Sequence, residues 1–363
     1  MARTRGSAAM TPDERLEAAL NRKSLDGIPF IHKGYGFCAK NCGIRNADIY
    51  TNPELSFKAQ LNTMEQYGAS KQPFYTFVSY GPYEFGGEVQ LPPQENMTAS
   101  PSVSRRPVAE PDDVFKLELP DPRNAGCVPA MLEFARLQEK HGTQIAFICG
   151  SPFTHAANLC GVDKFMMWLL DAPEAARKAM ELVTEHILQV ARHFVDTFGK
   201  DRVLARCAAP SESNAMISPD QFEAFALPAL QKLYGGVLAL GVRKSLYFHI
   251  CSDHNKNLHH WKKVPMSRDG APAILSIGHE VTLRTAAEHF PEHIIAGNIE
   301  PRLVSQGTPE AVYEASRKCI LEGKEHCKKG QFVFMAGCEI PYTAPCVNVY
   351  MMQKAVQDFG RYD

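Results

Sequence analysis

The sequence predicts a single (β/α)8 barrel, a TIM barrel of the α/β class. Short apolar segments alternate with helical segments along the 363 residues. The apolar segments are continuous, which is typical of parallel strands buried on both faces. Eight such units in a chain of this length fit a barrel, and a doubly wound open sheet is the alternative. We expect one barrel domain at residues 11–363, after a short disordered lead-in at residues 1–10.

Eight apolar runs are the predicted strands. They cover residues 28–34, 71–81, 143–152, 202–210, 245–251, 272–278, 293–299 and 331–338. Several of the helical segments carry start signals. Thr11, Pro12 and Glu14 form a capping box at the first helix, and Ser218 opens another.

Two polar segments interrupt the repeat. Residues 82–125 are rich in Pro, Ser and Gly and predict an inserted hairpin or loop region over the top of the barrel. Residues 252–272 form a second polar excursion, which includes His254, His260 and Trp261. We expect this second segment to be a solvated surface loop.

Composition restricts the functional class. The formal net charge is −1, so electrostatics gives no case for nucleic acid or an anionic membrane as a partner. No apolar run approaches the roughly 18 residues of a transmembrane helix, and the N-terminus lacks the apolar stretch of a secretory signal. The 11 cysteines are odd in number and follow no disulfide framework, which favours reduced thiols in the cytoplasm.

Three side chains of types that commonly bind metal ions lie at the ends of predicted strands. His249 and Cys251 end the fifth strand, in "SLYFHIC", and Cys338 ends the eighth, in "QFVFMAGC". Functional groups of a TIM barrel lie at the C-terminal ends of its strands, so these side chains are expected at one mouth. One imidazole and two thiolates suit zinc and leave a fourth position open, as in catalytic sites.

Two other interpretations of these residues stay open. Each of the three also fits ordinary packing, because free cysteines are among the most buried residues. In a zinc-stabilised binding protein without enzymatic activity, Cys207 or His279 would close a four-coordinate shell.

Four further polar residues are candidate catalytic groups. His279 and Glu280 follow the sixth strand, Glu300 follows the seventh, and Glu212 lies after the fourth. Each could supply or accept a proton at the barrel mouth. The alternative for each is a solvated or salt-bridged loop residue.

Aromatic side chains cluster near the ends of the first two predicted strands. Tyr35, Phe37, Tyr75 and Tyr83 are candidates for the wall of an aromatic substrate pocket. Packing within the barrel mouth is the alternative for each of them.

Several motifs resemble one known family. They are "FHIC" (248–251), "GSPFTHAANLCG" (150–161), "GNIEP" (297–301) and "AGCEIPYTAPCVNVYMM" (336–352). Together they make the chain resemble the uroporphyrinogen decarboxylase superfamily over roughly residues 10–360, and within it the corrinoid-dependent methyltransferases. The resemblance implies a TIM barrel, zinc bound by His249, Cys251 and Cys338, and a separate corrinoid-binding protein as partner.

The resemblance also implies a direction of methyl transfer. "SIGHEV" (276–281) with "GNIEP" resembles bacterial demethylases, which implies transfer from a small methylated compound, such as a phenyl methyl ether, to the Co(I) corrinoid of the partner. The alternative is transfer from a methylcorrinoid protein to a thiol, as in coenzyme M methyltransferases. Chemistry favours that alternative, since two thiolates neutralise the charge of zinc and weaken it as a Lewis acid.

Decarboxylation of a porphyrin is the remaining possibility. True decarboxylases of the superfamily carry an arginine-bearing segment after the first strand. The corresponding "IPFIHKGYGFCAKNCG" (28–43) contains no arginine, and the first one after it is Arg45. Many carboxylates on one substrate would require clustered arginines, so this activity is disfavoured.

Overall fold

The structure is a computed structural model and describes residues 9–93 and 100–362. Its centre is a parallel sheet in the order β3-β4-β5-β6-β7-β8. An antiparallel pair, β1 with β2, lies in the predicted insertion. The strands are β1 (Glu88–Gln90), β2 (Ser102–Arg105), β3 (Ala146–Ile148), β4 (Leu204–Ala208), β5 (Tyr247–Ile250), β6 (Ile274–Ile277), β7 (Ile294–Ile299) and β8 (Phe332–Ala336).

Helices alternate with these strands, as the sequence predicts. The capping box of the first helix is confirmed, since Thr11 Oγ1 accepts from the Glu14 N–H at 3.2 Å. The helices are α1 (Pro12–Leu20), α2 (Tyr35–Cys42), α3 (Asp48–Thr51), α4 (Pro53–Gln66), α5 (Pro111–Val114), α6 (Val128–Lys140), α7 (Pro152–Cys160), α8 (Val162–Asp171), α9 (Pro173–Phe198), α10 (Pro219–Gln221), a π-helical turn (Phe222–Ala226), α11 (Leu227–Leu240), α12 (Leu258–Trp261), α13 (Leu283–His289), α14 (Pro301–Gln306), α15 (Pro309–His326) and α16 (Cys346–Phe359).

The first predicted strand closes the barrel through a short bridge. The Ile31 N–H donates to Phe334 O at 3.0 Å, and the Phe334 N–H donates to Pro29 O at 2.9 Å. Phe30 therefore pairs in parallel with Phe334 of β8. The α/β barrel prediction is confirmed, although this first segment forms a single bridge and no extended ladder.

The second predicted strand, residues 71–81, forms no ladder. Pro73 interrupts it because proline has no N–H to donate. The buried amide of Gln60 replaces a neighbouring strand: its Oε1 accepts from the Phe74 N–H at 2.8 Å, and its Nε2 donates to Phe74 O at 3.0 Å. Segment 71–81 is therefore held by side chains where a regular barrel uses backbone pairing.

A second buried amide spans the gap between this segment and β3. Gln138 Nε2 donates to Pro73 O at 2.7 Å, and the Ala146 N–H donates to Gln138 Oε1 at 3.0 Å. Both backbone groups are thus satisfied without contact between the two strands. We call this junction, with Gln60 and Gln138, the amide seam.

The hydrophobic core has two layers. One cluster fills the barrel interior and is closed from below by α1; it contains Leu16, Ile31, Tyr247, Ile274, Ile294, Val333 and Met335. The other cluster packs the outer faces of the strands against the surrounding helices. This inner cluster is apolar, and the predicted metal ligands lie beyond it, at the C-terminal ends of the strands.

The polar excursion at residues 252–272 departs from expectation. Trp261 is fully buried and its Nε1 donates to His254 Nδ1 at 3.1 Å. His254 Nε2 lies 3.2 Å from Ala209 O, and His260 is also buried. The expectation of a solvated loop is wrong for these three side chains because each polar ring packs or bonds inside the fold.

The N-terminal segment and the insertion agree only in part with the predictions made from the sequence. Residues 1–8 of the predicted lead-in lie outside the described residues, while the Met10 N–H donates to Asp26 Oδ2 at 3.0 Å. The hairpin expected within residues 82–125 is present as β1 and β2. Across the described ranges, no helix has both the length and the apolar character needed to span a bilayer.

Replacing Gln138 by alanine is expected to destabilise the fold by roughly 2 to 4 kcal/mol, because two buried backbone groups lose their only bridge. Urea unfolding measures the difference. Gln306→Ala, on the exposed face of α14, is the matched control and should change stability by less than about 0.5 kcal/mol. Equal effects of the two substitutions would show that the Gln138 amide does not stabilise the junction between segment 71–81 and β3.

Candidate metal centre

Strand geometry delivers His249 to the inside of the barrel mouth. Side chains alternate along β5, so Phe248 faces outward, where it packs against Tyr234 and Trp261. Tyr247 and His249 face inward. Cys251 follows directly after the strand, and Cys338 follows β8 by one glycine.

Two glycines allow the loops at this mouth to approach one another closely. A Cβ on Gly337 would lie 3.0 Å from His279 N. A Cβ on Gly278 would lie 2.9 Å from both N and O of Ser252. A Cβ at Gly278 would force the backbone of Ser252 to move, and one at Gly337 would crowd His279, so the glycines permit the close approach of the loops after β5, β6 and β8.

The three predicted ligands converge. One ligand atom each from His249, Cys251 and Cys338 lies within 4.8 Å of the others. The two sulfurs are 3.6 Å apart, which is too far for a disulfide. Two thiolates of a tetrahedral zinc site are separated by about 3.8 Å, from Zn–S bonds near 2.3 Å. This side-chain group can therefore hold a metal ion with little rearrangement.

The imidazole is oriented for ligation. His249 Nδ1 lies 3.1 Å from Ser276 Oγ, while its Nε2 is buried and has no hydrogen-bond partner in the described part of the chain. Donation from Nδ1–H to the serine leaves the Nε2 lone pair free. An unsatisfied buried nitrogen is costly, and a metal ion would satisfy it.

The electrostatics of the group also fit a cation. Burial lowers the pKa of His249, which keeps the ring neutral, the form that ligates metals. The hydrogen bond from Cys251 lowers the pKa of the Cys338 thiol, and Lys33 adds to the effect. The same hydrogen bond raises the pKa of Cys251. The sulfur pair thus shares one proton, which a bound cation would replace.

A cavity of about 360 Å³ opens beside the ligands. Besides the three ligands, its lining includes Lys33, Tyr35, Phe74, Phe77, Arg206, Tyr247 and Glu339. A larger cavity of about 700 Å³ lies at the opposite end of the barrel and shares Arg206 and Tyr247 with the first. We assign the chemistry to the smaller cavity because it holds the metal-capable group.

Three charged residues of this cavity were missed by the sequence analysis as site residues. Glu339 directly follows Cys338, and Arg206 stands in the otherwise apolar strand β4. Lys33 lies near the end of the first predicted strand, residues 28–34. The sequence did contain a signal for these site residues, namely a charged residue within a predicted barrel strand or at its end.

Glu339 ties the ligand loop to the start of α2. Its Oε1 accepts from the Tyr35 N–H at 2.8 Å and from the Gly36 N–H at 3.2 Å. Burial raises the pKa of this carboxyl. The residue thus fixes Tyr35 at the cavity wall next to Cys338.

The four candidate catalytic residues all lie outside the cavity lining, and three of them are exposed or half-buried. His279 and Glu280 are exposed and form an ion pair, with Nδ1 and Oε2 3.4 Å apart. Glu300 is half-buried and precedes α14 as its N-cap residue. Their catalytic roles stay predictions.

The fourth candidate, Glu212, is buried one layer behind the cavity. Its Oε2 accepts from Thr154 Oγ1 at 2.7 Å, and its Oε1 has no partner within the described residues. Asn257 of the buried excursion donates to its backbone oxygen at 3.0 Å. Burial raises the pKa of Glu212 to about 7. Thr154 lines the cavity and connects the carboxyl to it.

Aromatic side chains line the cavity, but only one of the four predicted residues is among them, and their role in substrate binding stays a prediction. Tyr35 lines the cavity, together with Phe74 and Phe77. Phe37 and Tyr75 lie in the core, where the Tyr75 hydroxyl donates to Tyr50 O at 2.8 Å. Tyr83 is half-buried and stacks on Phe77, with ring centroids 5.5 Å apart.

The two candidate closing ligands do not join the group. Over residues 9–93 and 100–362, the side chains positioned to share a metal ion are His249, Cys251 and Cys338. Cys207 is buried, and His279 pairs with Glu280. A metal ion held by these three side chains would therefore have a fourth position open to a substrate or water.

The barrel and its three-ligand group define a candidate metal-dependent enzyme, and comparisons with known proteins give its family. The chain belongs to the uroporphyrinogen decarboxylase (URO-D) family, whose sequence model matches residues 11–359. The resemblance recognised in the motifs is thereby confirmed.

Curated relatives fall in the methyltransferase branch. The chain is 25% identical over 370 aligned positions to the methylcobamide:CoM methyltransferase MtbA of Methanosarcina acetivorans, covering 96% of this chain and 98% of that protein. It is 27% identical over 357 positions to MtaA of Methanosarcina barkeri, covering 95% and 97%. The prediction of a methyltransferase is confirmed at the level of enzyme class.

A solved structure supports the fold. A methyltransferase from Methanosarcina mazei superposes with a TM-score of 0.78 at 23% identity, covering 96% of this chain and 99% of that chain. The barrel architecture therefore extends over nearly the full length of both proteins.

In the wild type, ionisation of Glu212 is expected to lower the free energy of unfolding as the pH rises. The substitution Glu212→Gln is expected to make this decrease smaller. The unfolded carboxyl ionises near its ordinary pKa of 4.5, and the folded one keeps its proton up to about 7. The folded state binds more protons in that window, so stability falls as pH rises through it. Urea unfolding at pH 5 and pH 8 should show a difference smaller by roughly 2 to 3 kcal/mol in the variant.

The exposed Glu118→Gln serves as the control for this measurement and should leave the pH dependence as in the wild type. An unchanged pH dependence in Glu212→Gln would show that the buried carboxyl does not titrate in this range.

Proposed function

We propose that this chain transfers a methyl group from a methylcorrinoid, carried by a partner protein, to a small thiol. The proposal also includes zinc as the resident metal, held by His249, Cys251 and Cys338. The observation that carries it is the convergence, at a cavity, of two thiols and a buried imidazole nitrogen that has no hydrogen-bond partner by geometry among the described residues.

The donor set favours zinc and a thiol substrate. Thiolate and imidazole ligands select zinc over magnesium or calcium. Bound there, zinc would stabilise the deprotonated form of a substrate thiol at neutral pH. Two protein thiolates offset the charge of the ion, which weakens it as an activator of ether oxygen and leaves thiolate stabilisation as the better-suited role.

The protein's own residues prepare the site for this substrate. Ser276 orients His249, and Lys33 lowers the pKa of Cys338. Glu339 holds Tyr35 at the wall through its backbone N–H. The wall and the ligands are therefore fixed by hydrogen bonds before a substrate arrives, which is the preorganisation that group transfer requires.

The transfer balances without another reactant. The thiol would release its proton to solvent, and its sulfur would take the methyl carbon in a new S–C bond. The Co–C bond of the methylcorrinoid substrate would break and leave its electron pair on cobalt as Co(I). The relatives named above are methylcobamide:CoM methyltransferases, which supports this direction over the phenyl methyl ether reaction expected from the sequence.

Demethylation of a phenyl methyl ether is the second candidate, because Tyr35, Phe74 and Phe77 give the cavity an aromatic wall. Methyl transfer would then run from the ether to the Co(I) corrinoid of the partner. The two candidates share the metal group and differ in the substrate that occupies the cavity.

Metal analysis tests the site. Wild-type protein is expected to contain about one zinc per chain, and His249→Ala and Cys338→Ala should each lose it. Cys346→Ala removes an exposed thiol and should retain the metal. Zinc retained in both ligand variants would rule out this group as the binding site.

Substrate assays test the direction. Zinc-loaded protein with methylcobalamin is expected to methylate 2-mercaptoethanesulfonate or 2-mercaptoethanol, and His249→Ala should lower the rate by at least about 100-fold. Formation of the thioether is followed by mass spectrometry. Activity restricted to phenyl methyl ethers with Co(I) corrinoid would select the second candidate.

A further inference from the structure

We propose that His155 hydrogen-bonds an uncharged hydroxyl group of the substrate, so that the enzyme prefers small thiols that also carry a hydroxyl. This inference rests on the proposed function for the thiol end of the substrate. The evidence for the hydroxyl end is independent of the metal group. It comes from the position of one imidazole ring, its burial and the bonds of its neighbours.

A glycine at the end of β3 makes room for the ring of His155. Gly150 has a φ of +56°, a backbone conformation that favours glycine, and a Cβ there would overlap His155 Nε2. Ile148, two residues earlier, lines the cavity, and Gly150 lines it as well. The Nε2 atom of a residue on α7 therefore occupies the place of a side chain at the C-terminal end of β3, where barrel enzymes carry functional groups.

The ring lies across the cavity from the metal group. The Gly150 N–H donates to Arg206 O at 3.0 Å, so Gly150 stays beside β4. Ala208, two residues further along β4, is opposite His249 of β5. Neighbouring strands are about 4.8 Å apart, so β3 and β5 are separated by roughly 10 Å. Because both imidazole rings line this gap, a molecule with two or three carbons can reach from the metal group to His155.

The nitrogens of His155 have hydrogen-bonding capacity to spare. The side chain is buried, and neither Nδ1 nor Nε2 has a hydrogen-bond partner by geometry among the described residues. The residue lines the cavity. A buried polar atom without a partner costs free energy, and a polar group of a molecule in the cavity would remove that cost.

Two neighbouring polar side chains of this wall are engaged within the protein. Thr154 Oγ1 donates to Glu212 Oε2 at 2.7 Å, and Asn158 Nδ2 donates to Val78 O at 3.2 Å. Both residues line the same cavity as His155. His155 differs from these neighbours because its ring nitrogens can still bond a ligand.

The ring is held in place and uncharged, which defines the chemical class of its partner. It packs against Tyr80, with ring centroids 5.0 Å apart. Burial lowers the pKa of His155 to about 4, and the backbone of Tyr80 opposes this effect only in part. A neutral imidazole has one donor and one acceptor. A hydroxyl also has both, so it pairs with the ring in either tautomer, whereas a carboxylate or sulfonate would meet no positive charge on this ring.

Paired thiols test the proposal in the zinc-loaded protein. With methylcobalamin as donor, the wild type is expected to have a lower KM for 2-mercaptoethanol than for 1-propanethiol, in which a methyl group replaces the hydroxyl. His155→Leu should raise the KM for 2-mercaptoethanol by about 10- to 100-fold and should not raise the KM for 1-propanethiol. His155→Gln, whose amide both donates and accepts, should recover part of the loss. An equal effect on both thiols, or no effect on either, overturns the proposal.

A second variant reaches the same ring without replacing it. In Gly150→Ala the new Cβ would displace the imidazole, so the KM for 2-mercaptoethanol should again rise more than the KM for 1-propanethiol. Zinc content and far-UV circular dichroism show whether each variant keeps its fold. A folded Gly150→Ala protein with wild-type KM values for both thiols would contradict the proposal.

Phenol and toluene, which carry no thiol, separate this proposal from the proposed function. Calorimetry should show that the wild type and the exposed control His259→Leu bind phenol more tightly than toluene, and that His155→Leu binds both equally. This pattern in a wild type that methylates neither thiol would retain the hydroxyl site and reject the proposed function. Methylation of both thiols with equal KM values, by a wild type that binds phenol and toluene equally, would do the opposite.

Discussion

The 3.6 Å approach of Cys251 and Cys338 is the contact on which the site depends, and barrel closure produces it. These residues lie 87 positions apart in the chain. They meet because the parallel strands β5 to β8 are paired in sequence order, which directs every strand end to the same mouth. The bridge between Phe30 and Phe334 then carries the wall residues Lys33 and Tyr35 to the ligands. Local hydrogen bonds refine this arrangement, but the pairing of the sheet creates it.

Much of this arrangement could be predicted from the sequence. Continuous apolar runs identified the strands that form the sheet, and strand-end position brought His249, Cys251 and Cys338 together before any coordinates were used. These predictions succeeded because they rest on two general rules. Strands buried on both faces have continuous apolar sequences, and the functional groups of a barrel lie at the C-terminal ends of its strands. The family resemblance supported the same residues and is confirmed over residues 11–359.

Other features could not be predicted, for definite physical reasons. The bonds of Gln138 join groups 65 and 8 positions away, and no local pattern records such pairings. Burial of His254 and Trp261 depends on partners in other elements, so their polar neighbourhood in the sequence was misleading. Arg206 was overlooked because its surroundings, the rings of Phe74 and Tyr247, lie on other segments of the chain. Tertiary context decides all three cases.

The two sides of the cavity differ in the bonds that hold them to the rest of the barrel, and the amide seam lies on one of these sides. His249 lies on a strand, and Cys251 and Cys338 lie just after strands, that continuous backbone ladders join. Phe74 and Phe77 lie on a segment that the side-chain amide of Gln138 holds to β3. Breaking a few such bonds costs far less than separating a ladder, and regions of this kind open first. If a molecule enters this cavity as proposed, the wall would be the part that yields while the ligand geometry is kept. Substrate exchange and metal retention would then depend on separate parts of one barrel.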